Sequence, residues 1–192
     1  MQYVWYACYG SNLCRERFLC YIIGKQFAGN GKKYKGCRNH AYPVDDQPFI
    51  FSHPLYFAHH SSSWQGGGVA FIDHTPVQSE TTLGRLYKIT EEQFCDVAGQ
   101  ENGKATMDID WDILNTTKSF EIETGWYGRV LYLGRKDNLP IVTVTAKRKM
   151  EEMPLNKPSQ QYIDTIVAGL IETHGLSAQE ACNYLENRFP VG

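Results

Sequence analysis

The 192-residue chain carries no excess of charge, with 19 Lys and Arg against 21 Asp and Glu, and so offers no electrostatic footprint for a nucleic-acid partner. Its apolar runs fall well short of the ~20 residues that cross a bilayer. The N-terminus lacks the basic stretch and continuous apolar stretch of a secretory signal, so the expectation is a cytoplasmic protein with no membrane partner. The six cysteines, Cys8, Cys14, Cys20, Cys37, Cys95 and Cys182, include no C-x-x-C pair and no clustered histidine, which argues against zinc and for free thiols. Cys8, Cys14 and Cys20 recur every six residues, a spacing that suits neither a helix face nor a metal site. No base stands near any of them in sequence to activate a nucleophilic thiol. His53, His59 and His60 share one stretch without a further ligand nearby, so no metal is expected there. Repeats and linkers are missing too, and the length suits a single domain over 1–192.

What is present begins with Tyr3 to Tyr9, a run of aromatic and β-branched residues that reads as a buried strand. It stops abruptly at Gly10-Ser11-Asn12. Gly10 permits a backbone conformation closed to other residues, and Ser11 and Asn12 turn the chain with their N–H groups outward. Successive free N–H groups make a concave nest for a carboxylate or phosphate. A helix is then expected from Leu13 to Ile23, with Asn12 as N-cap and Gly24 as its stop, followed by an exposed loop over 28–36.

Residues 41–63 read as short strands and loops, and Gly66-Gly67-Gly68 as a glycine-rich approach to the strand ending at Ile72. A strand over Thr82–Ile89 leads into a helix opened by Thr90 with a near capping box. That helix runs into Gly99-Gln100-Glu101-Asn102-Gly103, where a glutamate between two glycines can project from a sharp turn. The alternation of Asp108, Asp110 and Asp112 lacks the glycine and bidentate glutamate of a calcium loop, and 104–125 reads as solvated strand edge or loop. Residues 125–133 and 139–146 form a hairpin joined by 134–138. Ser159 to His174, stopped by Gly175, and a second helix capped by Ser177 and Glu180 complete the chain. Strands dominate the first three quarters and helices the end, which defines an α+β class with a mixed, barrel-like sheet.

Four segments together resemble the γ-glutamylcyclotransferase family: Tyr6-Ala7-Cys8-Tyr9-Gly10-Ser11-Asn12-Leu13; Gly66 to Ile72; Leu83-Gly84-Arg85-Leu86-Tyr87 through Gln100-Glu101; and Pro158-Ser159-Gln160-Gln161-Tyr162 through His174-Gly175-Leu176. Their order and spacing span most of the chain. The resemblance implies a six-stranded barrel-like sheet with flanking helices and a cavity at the strand ends. It also implies that the N–H groups of Gly10, Ser11 and Asn12 hold a substrate α-carboxylate beside Tyr9, that Glu101 is the general base, and that Tyr162 and Tyr127 line the pocket. Residues 28–62 and 104–125 look longer than the family pattern, which leaves the leaving group open.

The implied reaction releases 5-oxoproline from a γ-glutamyl amine, amino acid or peptide, a small-molecule substrate. The free α-amine closes a five-membered ring on the δ-carbonyl, so positioning supplies much of the acceleration and one carboxylate moves the proton. No metal, nucleotide or other cofactor is needed. Two rival readings stand beside it: a binding module that holds a carboxylated metabolite without turnover, and a cysteine-dependent hydrolase using Cys8 or Cys14.

Overall fold

The computed structural model describes residues 2–122 and 125–190. Among these residues the elements follow as β1 (Tyr3–Cys8), α1 (Arg15–Ile23), β2 (Asp45–Phe51), β3 (Leu55–Ala58), β4 (Val69–Ile72), β5 (Thr82–Thr90) and α2 (Glu91–Glu101). Then come α3 (Trp111–Thr117), β6 (Ser119–Glu121), β7 (Arg129–Lys136), β8 (Leu139–Thr145), α4 (Gln160–His174) and α5 (Ala178–Glu186). Six strands form one mixed sheet in the order β2-β5-β1-β8-β7-β6, and β3 with β4 makes a separate two-stranded ribbon. The helices flank the sheet, as an α+β class requires.

Strand β1 lies inside the sheet because its residues are apolar on both faces: Val4 through Cys8 are all buried. It pairs antiparallel with β5, from Tyr3 opposite Thr90 to Cys8 opposite Arg85, and parallel with β8 through Trp5–Ile141 and Tyr6–Val142. The sheet is open and does not close into a barrel. Its edges are β2, which carries Pro48 and therefore lacks one ladder donor, and β6, only three residues long. The ribbon solves its own edge problem differently. Ala70 and Ile72, two apart on β4, point their backbone groups away from β3 and toward hydroxyls: Ala70 N–H donates to Tyr162 Oη (3.1 Å), Ala70 O accepts from Tyr127 Oη (3.3 Å), and Ile72 N–H donates to Thr145 Oγ1 (3.2 Å).

Helix boundaries follow local chemistry. Thr90 caps α2 through a full capping box with Gln93, Ser159 caps α4, and Ser177 with Glu180 boxes α5. Gly24 and Gly175 end α1 and α4 in the left-handed conformation, with φ of 74° and 67°. Three expectations are corrected. Asn12 is not the cap of α1: a short 3-10 turn covers Ser11–Leu13, Cys14 occupies the cap position, and the Asn12 side chain is drawn off to tertiary partners. The segment 104–125 is not loop throughout; Asp110 accepts from Ile113 N–H at 2.9 Å and starts α3, and β6 follows, while residues 123 and 124 lie outside the described residues. The hairpin is tighter than a five-residue loop. β7 and β8 pair as far as Lys136 opposite Leu139, Asp137 and Asn138 turn the chain with φ of 51° and 61°, and Gly134 sits at a bulge with φ 130°.

The core is aromatic and continuous from β1 to the terminal helices, with Trp5, Phe18, Tyr21, Tyr87 and Phe94 among its largest fully buried members. Phe18 of α1 stacks on Tyr87 of β5 at 3.9 Å, fixing the helix that follows the first turn against the sheet. No helix among the described residues is long and apolar enough to cross a membrane.

Candidate active site

Where β1 leaves the sheet, the chain makes its turn at Gly10 and enters a cavity of about 280 Å³, a size at the lower end for small-molecule sites. Tyr9, Gly10, Ser11, Asn12, Glu101, Tyr127 and Tyr162 all line it. These residues come from the end of β1, the end of α2, the segment before β7 and the first turn of α4, so only the folded chain assembles them.

The turn itself is buried, with Ser11 and Asn12 at 8% and 4% exposure. Among the described residues, the N–H groups of Gly10, Ser11 and Asn12 donate to no backbone carbonyl, and Ser11 lies beside the Tyr162 hydroxyl. A steric requirement for glycine at position 10 stands beside the conformational one. Its φ is −113°, outside the left-handed region, and a Cβ there would stand 2.9 Å from Tyr162 Oη and 3.1 Å from Ala70 Cβ. Space demands the glycine, and the space is where the cavity begins.

Glu101, the last residue of α2, is half-buried and turned toward this loop. Its Oε1 accepts from Asn12 Nδ2 at 2.9 Å, and the same amide donates to Tyr6 Oη at 3.1 Å. Asn12 Oδ1 is buried without a partner. The loop is braced from behind by β5: Tyr87 Oη donates to Asn12 O (3.0 Å), and Arg85 Nη1 donates to Leu13 O (3.0 Å) while the same guanidinium pairs with Asp46 at 2.5 Å. The turn is closed locally as well, by Leu13 N–H on Gly10 O (2.9 Å) and Cys14 N–H on Ser11 O (3.2 Å).

The tyrosines are neutral donors and acceptors. Burial pushes Tyr6, Tyr9 and Tyr127 well above the ordinary tyrosine value, and Tyr162 up to about 12. Tyr9 donates to Val144 O at 2.6 Å, closing the cavity floor across to β8. Burial also raises the Cys8 thiol far out of the reactive range, and the Cys14 thiol too, so neither is a ready thiolate. Among the described residues, no group of three or more His, Cys, Asp or Glu side chains could hold a metal ion. His59 instead stacks on Trp126 (4.6 Å), and His60 lies at the cavity, its Nδ1 3.2 Å from Gly66 O.

Sequence reasoning missed several lining residues, chief among them Arg17 with Tyr21, Lys32, Tyr34, Trp64 and Trp126. The loop 28–36, read as exposed, in fact buries Tyr34 at 4% exposure beside Tyr21, with ring centroids 4.7 Å apart. A signal for Arg17 existed: Leu13, Arg17 and Tyr21 are spaced by four, which sets a charge in the apolar stripe of a helix.

An open mixed sheet with flanking helices, holding a polar pocket beside its inner strand β1, defines the architecture. Among solved structures, a γ-glutamyl cyclotransferase aligns over 99% of this chain and 90% of its own, with a TM-score of 0.56 and 16% identity. An uncharacterized protein from Homo sapiens aligns over 100% and 90%, at 0.54 and 17% identity. YkqA from Bacillus subtilis aligns over 100% of this chain and 57% of its own, at 0.54 and 16% identity. The chain therefore has the γ-glutamyl cyclotransferase fold. No family model matches the sequence. Histone deacetylase 5 of Arabidopsis thaliana is 37% identical over 200 residues, which cover 95% of this chain, and the chain spans 30% of that curated relative's length.

Proposed function

We propose that the protein is a γ-glutamylcyclotransferase-type enzyme that releases 5-oxoproline from a γ-glutamyl substrate, with Glu101 as general acid and base. The observation that carries this reading is the 2.9 Å hydrogen bond between Glu101 Oε1 and Asn12 Nδ2, which sets a carboxylate against a turn whose own N–H groups are free of backbone partners. Those N–H groups, at Gly10, Ser11 and Asn12, receive the substrate's α-carboxylate beside Tyr9. Held there, the α-ammonium lies toward Glu101 and the unpartnered Asn12 Oδ1. Glu101 takes a proton from the ammonium, and the freed amine attacks the δ-carbonyl carbon. Tyr127, partly buried, and Tyr162, buried, are both protonated and line the pocket where the oxyanion forms. After attack the ring nitrogen still carries two protons; Glu101 passes the first proton to the leaving nitrogen as its bond to the δ-carbon breaks, then takes the second, which the departing amine accepts to leave as an ammonium, so atoms and charge balance with one base.

The same geometry weighs on the two rivals. A module that only binds a carboxylate gains nothing from a second carboxylate beside it, since like charges at close range oppose binding. A thiol hydrolase needs an ionisable cysteine, and burial works against Cys8 and Cys14. Incubation with a panel of γ-glutamyl amines, γ-glutamyl amino acids and glutathione, followed by chromatography for 5-oxoproline, tests the reading. Release from at least one class supports it. No release from any, at enzyme concentrations that would reveal ~10⁻³ s⁻¹, far below the usual range of enzyme turnover, refutes it.

A further inference from the structure

The cavity holds a cation that the chemistry above does not use. Arg17, on α1, is 4% exposed and lines the cavity. Its guanidinium lies 4.5 Å from the Tyr21 ring and 4.3 Å from the Tyr34 ring, and Nη2 donates to Tyr21 Oη at 3.1 Å. Nε and Nη1, both buried, have no partner, and among the described residues no carboxylate forms an ion pair with it. Burial opposes the charge, while the hydrogen bond to Tyr21 Oη and the Glu101 carboxylate favour it. A charged group stripped of water with donors unfilled is costly unless something completes its shell. Ring faces supply part of that, yet leave the N–H donors empty.

The surroundings say what the missing partner is. Of the residues lining the cavity, Arg17 and Lys32 are cationic and Glu101 alone is acidic. A γ-glutamyl amine carries one carboxylate, which the Gly10–Asn12 turn takes, and brings nothing for Arg17. A leaving group with its own carboxylate brings the second anion. Resting on the cyclotransferase reading, we propose that Arg17 is a second anion site for a carboxylate on the leaving amine, so that the substrates are γ-glutamyl amino acids or peptides with a free acid.

The test compares γ-glutamylalanine, its C-terminal amide, γ-glutamylethylamine and glutathione on the full chain, reading kcat/KM by 5-oxoproline release. The acid is expected to exceed its own amide by ~10- to 100-fold, the range for one charge-assisted hydrogen bond in a desolvated site. Arg17→Met should bring that ratio toward one, and Arg17→Lys should restore part of it. A structural role alone would lower all substrates together and leave the ratio unchanged. The proposal is overturned if amide and acid are used equally by the wild-type protein, an arm that needs no variant to fold. γ-Glutamylethylamine, which carries no second acid, is expected to be turned over more poorly than γ-glutamylalanine and than glutathione; turnover better than both overturns the proposal. If nothing is turned over, the cyclotransferase reading has failed. Calorimetric titration of γ-glutamylalanine against its amide then decides the Arg17 site: tighter acid binding sustains it, equal affinity rejects it.

Discussion

Replacing Glu101 by glutamine separates proton transfer from architecture. The carboxylate accepts from Asn12 Nδ2 at 2.9 Å, and the amide oxygen of the substituted side chain can accept from the same donor, so the loop keeps its brace. The change turns a charge-assisted hydrogen bond into a neutral one on a half-buried side chain, a loss of about 1 kcal/mol, or ~2–4 °C in Tm for a chain of this size. Catalysis should suffer far more. Losing a positioned general base costs about 10²- to 10⁴-fold, equivalent to ~3–5 kcal/mol of barrier. The assay is 5-oxoproline release at saturating substrate, beside a calorimetric titration of 5-oxoproline to show that the cavity still binds. A kcat within about tenfold of the wild type would refute Glu101 as the base. Loss of binding in step with loss of rate would refute the division of labour between turn and carboxylate.

Gly10→Val should abolish 5-oxoproline binding in a variant that remains folded, because its Cβ meets Tyr162 Oη at 2.9 Å and the rest of the side chain fills the turn; unchanged affinity by calorimetry would put the carboxylate site elsewhere. Asp110→Ala removes the cap of α3, whose Oδ1 accepts from Ile113 N–H at 2.9 Å, and should cost about 1 kcal/mol in chemical denaturation with activity retained. His53, His59 and His174 are held below the ordinary histidine value by burial. A depressed folded value means the unfolded chain binds protons first, so their contribution is complete above about pH 6.5 and declines as pH falls below it. Tm should drop between about pH 7.5 and 5.5, a window that brackets that value, and a constant or rising Tm would contradict this.

The parts of the fold that were legible in the sequence are those set by neighbours along the chain. Thr90, Ser159 and Ser177 find their capping partners three residues on, and Gly24 and Gly175 need only their own φ. The apolar run of β1 likewise announces a strand buried on both faces. Readings failed where a distant residue competes. Asn12 has the chemistry of a cap, but Glu101 and Tyr6 take its amide. The Asp108, Asp110, Asp112 alternation looks like a strand edge until Asp110 caps a helix only seven residues long, too short for a clear apolar period. The strand edge at Ala70 is sealed by Tyr127 and Tyr162, hydroxyls that no pairing rule for strands anticipates. The candidate site was legible where a family pattern marks it, at residues 9–12 and at Glu101. At Arg17 the sequence shows a charge in an apolar stripe but not its surroundings, because the aromatic neighbour Tyr34 arrives from a loop of glycines and lysines.

The position of β1 carries a consequence for how the molecule comes into being. β1 precedes the other described strands in chain order yet is an inner strand of the finished sheet, and Tyr9 hydrogen-bonds a carbonyl 135 residues further on. At ~5–20 residues per second, its parallel neighbour β8 emerges roughly 7–27 s later. Throughout that interval the stretch from Val4 to Cys8, with every residue destined for burial, has at least one edge unpaired, the condition that invites strand-to-strand association between nascent chains. The cavity beside Tyr9 is later still, since its lining includes Tyr162 from the first turn of α4, so a ligand held there binds only the completed fold and stabilises it against opening of this strand.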